Sequence, residues 1–103
     1  MADLVFPGEL HCAFVRSLHA HARIEAIDAK AARRMPGVVA IFAGADMEAD
    51  GIGPMRSLWP LKMPDGRMMN EPARWALARG TVRHVGEAVA LVIAESREAA
   101  ADA

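Results

Sequence analysis

The sequence has few residues that could crosslink or enlarge a small core. Tyrosine is absent, aromatic residues make up 5% of the 103 residues, and Cys12 is the single cysteine. One cysteine excludes an intrachain disulfide, and the shortage of aromatic side chains predicts a thin core of Val, Ile, Leu and Met. The first residues are not a basic segment leading into an apolar run, so they indicate no export signal. We therefore expect a reducing, cytoplasmic compartment.

Excess charge of either sign is also lacking. The formal net charge is -1 and the sequence pI is about 6.4. Nucleic-acid binding usually needs a basic stripe that displaces phosphate counterions, and no basic block occurs here. The longest β-branched apolar run, Ala88–Ala94, falls well short of the roughly 20 residues that a membrane helix needs. The sequence therefore predicts neither a nucleic-acid partner nor a membrane span.

Ala88–Ala94 is the stretch around which the chain is organised. It is uninterrupted in its apolar character and contains Val89, Val92 and Ile93. A short continuous run of this kind predicts a strand buried on both faces.

The remaining elements follow from periodicity and from turn and capping residues. In chain order, we predict strands over residues 10–16 and 19–28, joined as a hairpin at Ser17-Leu18, a helix over 29–35, a strand over 38–43, a helical turn capped by Asp46, a strand over 81–85, and a helix capped by Ser96. This order predicts an α+β fold, with a mixed sheet and two main helices. The last helix reaches Ala103 without a stop signal. We therefore predict a single domain over residues 1–103, cut from a longer polypeptide.

Residues 51–74 show neither helical nor strand periodicity and predict one long irregular loop. Glycines, prolines, four methionines and Trp59 are mixed here. A long irregular connection in a small domain is usually functional or packs against something else. Met63, Met68 and Met69 do not form a helical stripe, so their flexible thioethers indicate an interface with a partner surface.

Candidate chemical groups are present, but they do not combine into a centre. His19 and His21 share one face of a strand and could begin a metal site, yet the next residue on that face is the cation Arg23. Two hydrogen-bonding histidines are the favoured interpretation, and we expect no metal ligand. Cys12 is expected to be a buried structural thiol, and Glu87 a turn carboxylate bonded to backbone amides. The residues alone predict no catalytic site.

Three blocks of the sequence, residues 16–24, 35–46 and 78–90, are distinctive together. They read RSLHAHARI, MPGVVAIFAGAD and ARGTVRHVGEAVA. In order and spacing they resemble the α/β-hammerhead domain of the molybdenum hydroxylases. This family includes xanthine dehydrogenase, aldehyde oxidase and aerobic carbon monoxide dehydrogenase.

The resemblance implies an N-terminal structural domain of the large, molybdopterin-binding subunit, inactive in isolation. The complete enzyme oxidises aldehydes, N-heterocycles or carbon monoxide. It holds molybdenum-molybdopterin in later domains, and iron-sulphur clusters and FAD on partner domains or subunits. The implied partners of this chain are therefore the remaining domains of the large subunit and the iron-sulphur and flavin subunits. No catalytic, cofactor-binding or metal-binding residue is carried over. The candidate substrate-channel or interface residues are Met68, Met69, Asn70, Glu71 and Pro72.

A second interpretation belongs to a different class of protein. The chain could be a free-standing, non-enzymatic interaction module that binds a partner through residues 51–74. A reading frame that continues for several hundred codons favours the hydroxylase interpretation, whereas a stop codon directly after Ala103 favours the module.

Overall fold

The computed structural model describes residues 4–103. Its elements are, in chain order, β1 (His11–Arg16), β2 (Ala22–Arg23), one 3-10 turn (Ala32–Arg34), β3 (Val38–Ala43), α1 (Gly44–Ala49), β4 (Thr81–Val82), β5 (Ala88–Ala94) and α2 (Arg97–Asp102). The predicted α+β class is confirmed. None of these helices is long and apolar enough to cross a bilayer.

The organising run is the central strand of a three-stranded sheet with the order β1-β5-β3. Both ladders are antiparallel, and Leu91 of β5 lies between Phe14 of β1 and Phe42 of β3. The sequence predicts a mixed sheet, whereas the ladders that the structure describes are all antiparallel. The strand β5 begins at the end of the sheet where β1 and β3 finish, so each neighbour runs antiparallel to β5.

The two faces of β5 are covered to different degrees. Ala90, Val92 and Ala94 are buried, with Ala94 0% exposed, whereas Leu91 and Ile93 are half-buried. The prediction of a strand is confirmed, and that of burial on both faces is right for one face. Within the described residues, α2 packs against β1 and β5. No element of residues 4–103 buries the opposite face of β5, which carries Leu91 and Ile93, to the same extent.

The predicted hairpin at Ser17-Leu18 is wrong. β1 pairs with β5, and β2 pairs with β4 in a separate two-residue ladder. Ser17 explains the divergence because it is buried, donates its backbone N–H to the Glu87 carbonyl at 2.9 Å and accepts from the Gly86 N–H at 2.8 Å. These bonds extend the pairing past Arg16, so Ser17 is paired with the residues that precede β5 and does not begin a hairpin turn.

The helical predictions are partly confirmed. Residues 29–35 form only the 3-10 turn, because Pro36 leaves too few residues for a stable α-helix. Asp46 lies inside α1, and its carboxylate accepts the Ala43 N–H at 2.7 Å. Ser96 caps α2 as predicted, and its hydroxyl accepts the Ala99 N–H at 3.1 Å.

Candidate interaction site

Residues 51–74 form a projecting segment, which we call the arm. The structure confirms that it is irregular and adds that its two limbs touch in two isolated antiparallel bridges, Met55 with Arg74 and Lys62 with Met68. The Met55 N–H donates to the Arg74 carbonyl at 2.8 Å. The arm is therefore a weakly paired excursion, held by a few backbone hydrogen bonds rather than by a ladder.

The tip of the arm is a turn closed by one ion pair. Gly66 has a φ of 83°, a conformation that suits glycine. The Met63 N–H donates to the Arg67 carbonyl at 2.7 Å, and the Arg67 Nε donates to Asp65 Oδ2 at 2.7 Å. The Arg67 guanidinium holds the pKa of the Asp65 carboxyl below its ordinary value. The turn thus keeps its shape with local contacts alone.

Large apolar side chains of the arm lie in solvent instead of packing on the sheet. Leu58 is 98% exposed and Trp59 is 78% exposed. The arm side chains that share this exposure are Ile52, Met55, Leu58, Trp59, Leu61, Met63 and Met68. Clustered exposed apolar residues of this kind mark interaction surfaces. The arm is accordingly the candidate interaction site.

The five predicted site residues lie on the returning limb of the arm. Met69 is half-buried, and its N–H donates to the Leu61 carbonyl at 2.9 Å. The Glu71 carboxylate accepts the Ser57 N–H, so it joins the two limbs. The other three, which are exposed, are Met68, Asn70 and Pro72. The arm brings all five together, and their role as interface or channel residues stays a prediction.

The base of the arm contains a residue that the sequence did not single out. The Arg79 Cζ lies 3.6 Å from the Trp75 ring centroid, and its Nη2 donates to the Ile52 carbonyl at 2.9 Å. Its Nη1 lies 3.8 Å from Glu48 Oε1 of α1. We call these four residues the Arg79 cluster. No local periodicity signals it, because Glu48 and Ile52 are far from Arg79 along the chain.

A second feature is a cleft of 470 Å³ between residues 24–30 and α1. Charges of both signs line it, among them Lys30, Arg33, Asp46 and Glu48. The Arg33 side chain already makes a structural hydrogen bond, because its Nη2 donates to the Ile41 carbonyl of β3 at 3.3 Å. The cleft therefore offers mixed polar contacts and no concentrated charge of one sign.

The predicted chemical groups are distributed over the surface. His19 and His21 are exposed. No three His, Cys, Asp or Glu side chains converge as a metal site anywhere in residues 4–103. Cys12 is exposed, not buried as we expected, because β1 is an edge strand whose Cys12 side the described chain leaves open. The prediction for Glu87 is confirmed, since its carboxylate accepts the Arg83 N–H.

Comparisons with known proteins agree with this architecture. The family described as "Aldehyde oxidase and xanthine dehydrogenase, a/b hammerhead domain" matches residues 1–103. The nicotine 6-hydroxylase large subunit of Paenarthrobacter nicotinovorans is 43% identical over 101 residues, which are 98% of this chain and 12% of that protein.

Solved structures give the same fold. Quinoline 2-oxidoreductase from Pseudomonas putida 86 superposes with a TM-score of 0.84 and 39% identity, over 98% of this chain and 12% of that one. The Cu,Mo-CO dehydrogenase superposes with a TM-score of 0.76 and 36% identity, over 98% of this chain and 11% of that one. The predicted hammerhead fold is confirmed. The chain spans about an eighth to a ninth of the length of these relatives.

Proposed function

Because the chain belongs to the a/b hammerhead domain family of aldehyde oxidase and xanthine dehydrogenase, we propose that it is the N-terminal structural domain of a molybdenum hydroxylase large subunit. In this proposal the complete enzyme oxidises an aldehyde, an N-heterocycle or carbon monoxide. The domain by itself is inactive, and its role is to present a surface on which the other domains pack.

The exposed apolar arm is the observation that carries this proposal. Exposed Leu58 and Trp59 side chains do not stabilise a free domain, whereas burial of each against another surface would contribute about 1.5–3 kcal/mol to the free energy of association. The alignment with the nicotine 6-hydroxylase large subunit covers 98% of this chain but only 12% of that subunit. The proposed occupant of the arm surface is therefore the remainder of the same large subunit.

The described residues offer no converging set of side chains that could ligate a metal ion. His19 and His21 stand beside Arg23 on exposed backbone, and no group of three potential metal ligands converges in residues 4–103. We place molybdenum-molybdopterin in other domains of the large subunit, and iron-sulphur clusters and FAD on partner domains or subunits. In this proposal, no step of the oxidation takes place on this chain. We also propose the cytoplasm as its compartment.

The returning limb of the arm is the proposed contact. Met68, Asn70 and Pro72 are exposed on it, while the Glu71 carboxylate is occupied by the Ser57 N–H. Met68 and Pro72 supply apolar contact area, and the Asn70 amide can donate and accept at a partner surface or at the entrance of a substrate channel. Glu71 contributes by keeping the limbs together.

The test is assembly of the complete large subunit with a charged arm. Leu58→Glu with Trp59→Glu removes apolar area without touching a described hydrogen bond. We expect recovery of the assembled subunit and its molybdenum content to fall about tenfold or more, because burying two new carboxylates is costly. Val85→Glu is the control, since Val85 is exposed outside the arm. Full assembly and full metal content in the arm variant would contradict the proposal.

The free-standing module stays the alternative, since it uses the same arm. The two proposals differ in what the arm meets: later domains of its own chain or a separate partner. The downstream reading frame separates them directly.

A further inference from the structure

We propose that Arg79 is a positioning residue that fixes the direction in which the arm leaves the sheet. The inference deepens the proposed function, and it rests on that function for the statement that the arm docks on the remainder of the large subunit. Its basis is that one guanidinium group touches both ends of the arm. Ile52 lies near the beginning of the arm, and Trp75 follows directly after its last residue.

Arg79 is itself mounted on the rigid part of the domain. The preceding residue, Ala78, is buried and donates its N–H to the Ala88 carbonyl of β5 at 2.8 Å. On the other side, Ala78 lies so close to α1 that a Cβ on Gly44 would come within 2.3 Å of the Ala78 carbonyl oxygen. The backbone that carries Arg79 is thus fixed by both the central sheet and α1.

The contacts of Arg79 differ in strength. The Glu48 ion pair is long at 3.8 Å, and the Glu48 side chain is mostly exposed, so it contributes little. The Arg79 side chain is only 18% exposed, which strengthens its stacking on Trp75 and its bond to the Ile52 carbonyl. The ring and the carbonyl are therefore the contacts that hold the arm.

Two kinds of backbone contact also hold the base: the bridge between Met55 and Arg74, and the Ile52 N–H, which donates to the Met47 carbonyl of α1 at 2.9 Å. The second contact fixes only the outgoing limb of the arm. The Arg79 guanidinium is planar and donates in fixed directions. A planar group that stacks on one end of the arm and donates to the other therefore restricts the relative orientation of the two ends further than these backbone contacts alone.

The test is amide hydrogen exchange in the full chain, read on arm amides and on β5 amides in the same sample. In Arg79→Gln we expect the Met55 and Met69 amides to exchange about tenfold faster, as loss of both contacts predicts. The β5 amides should keep their rates. Arg79→Lys keeps the cation over the ring and should restore part of the protection. Arg83→Gln, an exposed arginine with the same charge loss, should match the wild type.

A double-mutant cycle with Trp75→Leu makes the test sharper. If the ring and the guanidinium act as one unit, the double variant exchanges no faster in the arm than the faster single variant. Additive effects, unchanged arm exchange in Arg79→Gln, or equal acceleration in β5 would each overturn the inference.

Assembly of the large subunit gives the second readout. Arg79→Gln should lower recovery by about threefold, less than the charged arm, because it misplaces the docking surface without altering it. Normal recovery with a loosened arm would overturn the positioning role. Full assembly of the Leu58→Glu, Trp59→Glu variant would instead refute the proposed function and leave the exchange result standing.

Discussion

The central sheet and the arm place their apolar side chains in opposite surroundings. Val92 of β5 is 2% exposed, whereas Leu58 of the arm is 98% exposed. The sheet is held by two ladders that each pair several residues in succession, while two isolated bridges join the limbs of the arm. The sheet therefore supplies the stability of the domain. The arm adds almost none to the domain alone, and its apolar residues acquire a role only when another surface covers them.

The same charged substitution made in the two regions is expected to show the largest difference in the free energy of unfolding. Val92→Asp buries a carboxylate without a partner and should cost several kcal/mol, enough to prevent folding of a small domain. Leu58→Asp should change the free energy of unfolding by less than about 0.5 kcal/mol. Urea unfolding followed by circular dichroism measures both. A large loss of stability in Leu58→Asp would show that the arm is part of the folded core.

Two glycines provide the next comparison. A Cβ on Gly44 would meet the Ala78 carbonyl oxygen at 2.3 Å, and backbone cannot move aside easily, so Gly44→Ala should cost about 1–3 kcal/mol. Gly53 in the arm has no heavy atom within 4 Å of such a Cβ. Gly53→Ala should therefore leave the urea midpoint within error of the wild type. Equal midpoints for the two variants would mean that α1 is not packed tightly on Ala78.

Substitution of one serine in each region is expected to show a smaller difference in stability. Ser96→Ala removes the hydroxyl that accepts the Ala99 N–H at 3.1 Å, and it should cost about 1 kcal/mol. At Ser57 only the backbone N–H is used, as donor to Glu71, so Ser57→Ala should be close to neutral. Thermal unfolding should show a lower midpoint for the first variant only. A shift in the second would indicate that the Ser57 side chain stabilises the arm.

Sequence patterns reveal the elements better than their partners. The strands β1, β3 and β5 and the Ser96 cap depend on neighbouring residues, so local periodicity and capping rules predict them. The pairing of β1 is not local: the Arg16 side chain donates to the carbonyl of Gly86, 70 positions away. Ser17 could equally have begun a hairpin, and only the bonds from Gly86 and Glu87 decide against it.

The candidate site was predictable to a similar degree. The unusual composition of residues 51–74 indicates an interface before any coordinates are known. The Arg79 cluster was not accessible, because Arg79 and Ile52 are 27 positions apart and their contact follows from packing alone. The Cys12 prediction failed because the strand pattern does not tell which side of an edge strand the rest of the domain covers.

The smallest expected effect is confined to the tip of the arm. Hydrogen bonds from Arg67 lower the pKa of Asp65 below its ordinary 3.8. A carboxyl with a lowered folded-state pKa favours the ordered turn above the ordinary pKa, and this contribution disappears as the pH falls through the lowered value. Below about pH 3.8, NMR signals of the Arg67 Nε–H and of its backbone N–H, which donates to Asp65 Oδ1 at 3.0 Å, should shift together. Asp65→Asn should abolish the shift. Because the pair is exposed, β5 signals should keep their positions over the same pH range, and a coupled shift there would show that the tip and the sheet are one cooperative unit.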